Sequence, residues 1–175
     1  WRLVAASGVL VAVAVVIARD HPVVIATATA VGARADIWRD GVNAWRSSPW
    51  FGIGLDYLRE SGLAMVRIAP DRMAGAPHAH NMFLQTALDV GLCGLVAYLA
   101  IIGFVLRRAA DLVTAPGVET LARYVGVGAG LSVVSVHVYG LFDAVPLGAK
   151  VGLFQWLSCG LILAASRMRT PPEET

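Results

Sequence analysis

The sequence predicts an all-α fold: a polytopic bundle of membrane-spanning helices. Three observations carry that expectation. The chain is 57% hydrophobic and only 15% charged, against about 45–50% apolar and about 25% charged residues in soluble domains. Its mean hydropathy is +0.67. Its charges are also segregated, with long uncharged runs set around one polar stretch. Lipid is therefore the expected solvent. A net charge of +2 without a basic stripe argues against a nucleic-acid partner.

A spanning helix needs about 20 mostly apolar residues. Leu3–Ala18 is uncharged and rich in Val and Ala, with Trp1 and Arg2 suited to the interface. Arg19-Asp20-His21-Pro22 interrupts it. Val23–Ala33 is apolar but too short to span, which leaves an interfacial helix or an extended return segment. The chain begins inside an apolar segment with no signal peptide in view. It therefore reads as the C-terminal part of a longer membrane protein. Residues 1–33 are taken as one span plus an interfacial segment.

Residues 34–80 differ in kind. Arg34, Asp36, Arg39, Asp40, Arg46, Asp56, Arg59, Glu60, Arg67, Asp71 and Arg72 fall here, with Pro49, Pro70 and Pro77. This is the large loop outside the bilayer. Within it, Ala35–Trp45 has helical spacing, with Ile37, Trp38, Val42 and Trp45 on one face. Ser47-Ser48-Pro49 ends that helix. Pro49-Trp50-Phe51-Gly52-Ile53-Gly54 is turn-rich and suits the interface.

Residues 81–169 hold three further spans. Val90–Leu106, led in by a turn from Asn81, ends at Arg107-Arg108. Tyr124–Phe142 is rich in Gly, Ser and Val, as closely packed membrane helices are. Val151–Ser166 closes on Arg167 and Arg169, and residues 170–175 form a tail. Arg107, Arg108 and Arg123 share one short loop, and Arg167 and Arg169 lie in the tail. The positive-inside rule puts both in the cytoplasm. The result is about four spans, with the large loop and the turn Asp143–Lys150 on the extracytoplasmic face. Cys93 and Cys159 lie in apolar runs and read as small packing residues.

That topology gathers ionisable groups at one face. His80 stands where the loop enters a helix. His137, Asp143 and Lys150 lie near the same face. Ionisable groups at membrane depth are costly and usually line a polar site. Each also has a plainer reading. His80 and Asn81 could cap a helix, and His137 and Asp143 could be structural hydrogen-bonding groups. Lys150 could anchor a helix end, Arg34 could snorkel, and Arg39 and Arg46 could pair on a solvated face. His78 reads as a loop residue, and Gly91 and Gly94 as packing positions. Trp38, Trp45 and Trp50 read as interface anchors.

His80-Asn81, nine residues, then Gly91-Leu92-Cys93-Gly94 resembles the signature of the O-antigen ligase family (Wzy-C type). Arg34-Ala35-Asp36-Ile37-Trp38 resembles its R-x-x-x-W element. Pro49 to Gly54 resembles its P-x-x-G-x-G element, and His137 to Asp143 a weaker later element. The resemblance implies a GT-C-like glycosyltransferase of the bacterial plasma membrane that uses no metal or other cofactor. Its donor would be an undecaprenyl-diphosphate-linked glycan, and its acceptor lipid A–core, a growing glycan or a protein.

The same resemblance ties His80 and Arg34 to activity. A diphosphate leaving group needs its charge neutralised, and arginine's planar fork matches phosphate oxygens. Arg34, Arg39 and Arg46 are candidates, and the sequence has no Asp-x-Asp motif. An attacking hydroxyl needs a base of near-neutral pKa, which histidine supplies. His80 fits that role. Asn81, His137, Asp143 and Lys150 are candidate substrate contacts. The competing functions are a transporter or flippase, which would place its site near the midplane, and a non-catalytic scaffold of an envelope polysaccharide assembly system.

Overall fold

The computed structural model describes residues 22–62, 65–69, 72–144 and 150–168. The span expected at Leu3–Ala18 and the tail from residue 170 lie outside them. Five helices and one hairpin are described: α1 (Pro22–Trp45), α2 (Tyr57–Ser61), β1 (Met65–Ala69), β2 (Arg72–Gly75), α3 (Met82–Thr114), α4 (Thr120–Tyr139) and α5 (Lys150–Ala165). The fold is helical, and the three apolar helices α3, α4 and α5 form its bundle.

Among the described residues, two helices are long and apolar enough to cross a membrane, α3 and α4. α5 is also apolar but has 16 residues, about 24 Å of helix against a hydrocarbon core of about 30 Å. Its outward side chains are apolar as well: Leu153 is 70% and Phe154 63% exposed. Side chains on this scale face outward when lipid or another apolar helix replaces water.

The bundle core joins Ile102, Val105, Ala109 and Leu112 of α3 to Ala122 and Val133 of α4, and to Cys159, Ile162 and Ala165 of α5. Small residues set the α3–α4 spacing. A Cβ on Gly126 would lie 2.8 Å from Leu112 Cβ, and one on Gly130 would lie 3.1 Å from Ala109 Cβ. In lipid no hydrophobic force pulls helices together, so such close backbone approach carries the packing. Cys159 is a buried core residue and Cys93 is exposed; both are free thiols.

α1 runs unbroken from Pro22 to Trp45. Val23–Ala33 therefore joins the Ala35–Trp45 helix, which settles the choice between helix and extended return. Ile37 is buried with Leu58, Ala76, Ala79 and Leu88, and Trp38 and Trp45 pack against them. This second cluster fastens the loop to α1 and to the start of α3. The loop also contains what an all-α reading omits: β1 and β2 pair antiparallel, with an irregularity between Arg67 and Ala69. Met65-Val66-Arg67-Ile68-Ala69 is short and partly β-branched, which suits a strand.

α3 is interrupted. Gly91 has φ 69 and ψ −173, outside helical geometry, so Met82–Val90 and Leu92–Thr114 are two helices meeting at a break. A break leaves orphan amides and carbonyls, and the Pro49–Gly54 segment satisfies several. Leu92 N–H donates to Pro49 O at 2.8 Å and Cys93 N–H to Trp50 O at 3.2 Å. Ile53 N–H donates to Leu88 O at 2.6 Å. The approach is so close that a Cβ on Gly91 would sit 2.3 Å from the Trp50 carbonyl carbon. A Cβ on Gly52, itself at φ 77, would sit 2.5 Å from Leu88 O. The two glycine elements of the sequence are thus halves of one backbone joint.

Candidate active site

The segment from Pro77 to Asn81 crosses the end of the bundle, and almost every residue in it is tied down. Trp38 of α1 donates its Nε1–H to Ala79 O at 2.8 Å. Ala79 N–H donates to Gln85 Oε1 at 2.9 Å. Gln85 is oriented in turn by Asp89, whose Oδ1 accepts from Gln85 Nε2 at 2.9 Å. Ala76 and Ala79 are fully buried. Asn81 caps α3, its Oδ1 accepting Leu84 N–H at 2.9 Å, while its Nδ2 donates to Leu141 O at 3.1 Å. Met82 N–H donates to Gly140 O at 2.7 Å. The start of α3 and the end of α4 are therefore stitched together at this point.

His80 stands within that frame with φ 48, a left-handed conformation that costs a non-glycine residue about 1–3 kcal/mol and tends to occur at functional sites. Its Nδ1 lies 3.1 Å from Asp143 Oδ1. A carboxylate only accepts hydrogen bonds, so His80 Nδ1–H is the donor, and in the neutral ring Nε2 is the nitrogen with the lone pair. Asp143 is itself oriented. The chain after α4 continues for another turn, with Asp143 N–H on Tyr139 O at 3.2 Å. That turn puts the Tyr139 hydroxyl 2.9 Å from Asp143 Oδ2, to which it donates. Ala144 N–H donates to Oδ1 at 2.8 Å.

Burial alone would raise the Asp143 pKa. The Tyr139 hydroxyl and the Ala144 amide, joined by His78 and His80 when those rings are protonated, outweigh it and hold the carboxyl below its ordinary value. Asp143 is therefore a carboxylate at neutral pH, as the tautomer of His80 requires.

His78 sits against His80, with ring centroids 4.2 Å apart in an edge arrangement. Its Nδ1 accepts the His80 amide N–H at 3.3 Å and lies 3.6 Å from Asp143 Oδ1. Burial pushes the His78 pKa down, and the neighbouring His80 adds to that, against the pull of Asp143. Neutral His78 thus carries its proton on Nε2. His78, His80 and Asp143 each offer one ligand atom, all within 4.8 Å of one another, and they are the one group among the described residues arranged to hold a metal ion.

The other candidates are distributed unevenly. Arg34 lies on α1, half-buried, close enough for its charge to act on the Tyr139 hydroxyl. It therefore belongs to the same corner as Asp143. Arg39 is exposed and paired with Asp36 at 3.1 Å and Asp40 at 3.4 Å. Arg46 is exposed, with Nη1 donating to Asn43 Oδ1 at 3.3 Å. Lys150 is exposed at the start of α5. His137 faces into the bundle. Its Nδ1 lies 2.7 Å from Val133 O, a pure acceptor, so Nδ1 carries the proton. Its Nε2 then accepts from the Tyr98 hydroxyl at 2.8 Å, and Tyr98 accepts from Gln155 Nε2 at 3.0 Å.

Sequence reasoning passed over Tyr139 and Gln85, and it read Trp38 as an interface anchor rather than as a donor to Ala79 O. For Tyr139 a signal exists: a tyrosine four residues before an aspartate at a helix end shares its face. Trp38 and Gln85 act through backbone contacts with Ala79, which carry no sequence signal.

A family model described as O-antigen ligase matches residues 1–99. The match covers α1, the loop that follows it, His80 and the break at Gly91. No curated protein matches the chain.

Proposed function

The chain belongs to the O-antigen ligase family, and from that premise we propose that it transfers an undecaprenyl-diphosphate-linked glycan to an acceptor hydroxyl at the outer face of the plasma membrane. The observation that carries this reading is the His80–Asp143 pair, 3.1 Å apart, in which the neutral ring donates from Nδ1 and offers Nε2 as the basic nitrogen. That is the arrangement a general base needs: a carboxylate fixes the tautomer, and the opposite nitrogen takes the proton. Asp143 also stabilises the imidazolium that forms. The acceptor oxygen attacks the anomeric carbon, the bond from that carbon to the diphosphate oxygen breaks, and undecaprenyl diphosphate leaves. The acceptor's proton goes to His80 Nε2.

Arg34 is the residue assigned to the leaving diphosphate, because arginine's planar fork matches phosphate oxygens and its charge reaches the Tyr139 hydroxyl beside Asp143. Arg39 and Arg46 are assigned to the solvated face of α1 and the turn after it, since their described partners are side chains of that segment. Asn81 holds the His80 backbone through its cap, so its role is to position the base. His137 is assigned to architecture, both of its ring nitrogens having protein partners. Lys150 remains a candidate for the donor's phosphates. The outer-face assignment rests on charge. Arg107, Arg108, Arg123 and Arg167 lie at the end of the bundle opposite His80, and basic residues favour the cytoplasm. A site at a helix end also fits a transferase better than a transporter, whose sites usually lie near the midplane.

The test is glycan profiling in a deletion strain carrying the intact protein or its His80→Ala variant. With the variant present in the membrane, lipid-linked glycan is expected to accumulate and the finished conjugate to disappear. Accumulated long chains mark a ligase, and single units mark a polymerase. A normal profile would remove His80 from the mechanism and favour the scaffold reading.

A further inference from the structure

We propose that His78, His80 and Asp143 form a binding site for one first-row divalent cation, zinc foremost, and that its occupancy excludes His80 from acting as a base. The geometry comes first. Zinc bound by histidine nitrogen and carboxylate oxygen at about 2.0–2.2 Å in a tetrahedron separates neighbouring ligand atoms by about 3.4 Å. Here His80 Nδ1 and Asp143 Oδ1 are 3.1 Å apart, and His78 Nδ1 and Asp143 Oδ1 are 3.6 Å apart. These two distances bracket the expected edge, and all three ligand atoms lie within 4.8 Å of one another, so side-chain rotation that draws the two imidazoles together completes the set.

The donor chemistry comes second. Two imidazoles and one carboxylate suit zinc, copper and nickel, whereas magnesium and calcium prefer all-oxygen sites. Outer partners are also in place. The Tyr139 hydroxyl and the Ala144 amide already hold the Asp143 carboxylate, as groups behind a metal ligand do. The three side chains are about a quarter exposed, which leaves an entry path and a fourth position for water.

The exclusion follows from the proton. As a base, His80 carries a proton on Nδ1 and points it at Asp143. As a ligand, Nδ1 must give its lone pair to the metal, so the proton of the neutral ring moves to Nε2, the atom that would otherwise take the acceptor's proton. The same atoms therefore hold either the Asp143–His80 hydrogen bond or the cation. The metal site stands on geometry alone, whereas the exclusion also rests on the proposed role of His80.

The experiment uses the intact protein in detergent, stripped with EDTA and titrated calorimetrically with Zn²⁺. One Zn²⁺ per protein is expected, with no saturable Mg²⁺ binding. His78→Ala and Asp143→Asn should each weaken Zn²⁺ binding by more than about tenfold. On the wild-type protein, Zn²⁺ should also protect His78 and His80 from diethyl pyrocarbonate, read by mass spectrometry, which needs no variant to fold. Absence of saturable Zn²⁺ binding, or binding without that protection, overturns the site. In glycan transfer, Zn²⁺ should lower the rate and EDTA restore it. Zn²⁺ bound and protective with transfer unchanged overturns the exclusion, and with it the base role of His80.

Discussion

Two polar clusters, one at the end of the bundle and one inside it, use the same residue types to opposite effect. Inside, His137 gives Nδ1–H to Val133 O and takes the Tyr98 hydroxyl on Nε2, while Gln155 completes the chain. Both ring nitrogens have partners, and three helices are tied together. At the end, His80 has one ring nitrogen on Asp143, and its backbone is held left-handed at φ 48. A polar group in lipid surroundings must have a partner, so a fully partnered histidine is explained by packing alone. The His80 ring has Asp143 as its described partner, while Ala79 and Asn81 on either side are pinned. On the proposed reading that difference, rather than histidine as such, separates architecture from chemistry.

The comparison is most exposed to loss of the base. His80→Ala is expected to lower transfer by about 10²–10⁴-fold, the range for removing a general base, with protein level unchanged. Asp143→Asn comes next. An asparagine amide facing Nδ1 favours the wrong tautomer, and a loss of about 10²-fold or more is expected in turnover measured on membranes. Gly91→Ala should act on folding instead. The added Cβ meets the Trp50 carbonyl carbon at 2.3 Å in a backbone at φ 69, a cost of roughly 3 kcal/mol or more. Protein level and melting temperature should fall together. His137→Ala removes the interhelical hydrogen bond to Tyr98, about 1–2 kcal/mol, so stability should drop while turnover per folded molecule holds. Tyr139→Phe removes one hydroxyl from the far oxygen of Asp143, and turnover should fall about tenfold at most.

The apolar helices were legible because their signal is local. Uncharged runs bounded by charged residues placed α4 and α5 within a few residues, whereas α3 continues past Arg107-Arg108 to Thr114. The helix of the outer loop and its buried face were legible too, with Ile37 buried and Trp38 and Trp45 packed beside it. The backward extension of α1 to Pro22 was not, since Thr27, Thr29 and Gly32 weaken the helical pattern. The break at Gly91 was also hidden. Glycine in an apolar helix reads as a packing position, and only the arrival of Trp50 from a distant part of the chain turns it into a joint.

The candidate site was half legible. His80 and Asp143 could be placed at one membrane face from topology, and Arg34 joins their corner. Their 3.1 Å contact spans 63 residues, which no local pattern encodes. His137 stands in the same part of the sequence as Asp143, but a rotation of α4 turns it inward while the turn after Tyr139 brings Asp143 back to His80. Sequence gives depth along a helix more readily than direction around it.

The most direct measurement compares transfer per folded molecule for His80→Ala and His137→Ala in the same membranes, with the lipid-linked donor supplied in excess. The account expects the His80 variant to fall about 10²–10⁴-fold and the His137 variant to stay near wild type. Equal losses, or a larger loss at His137, would contradict the assignment of chemistry to the bundle end.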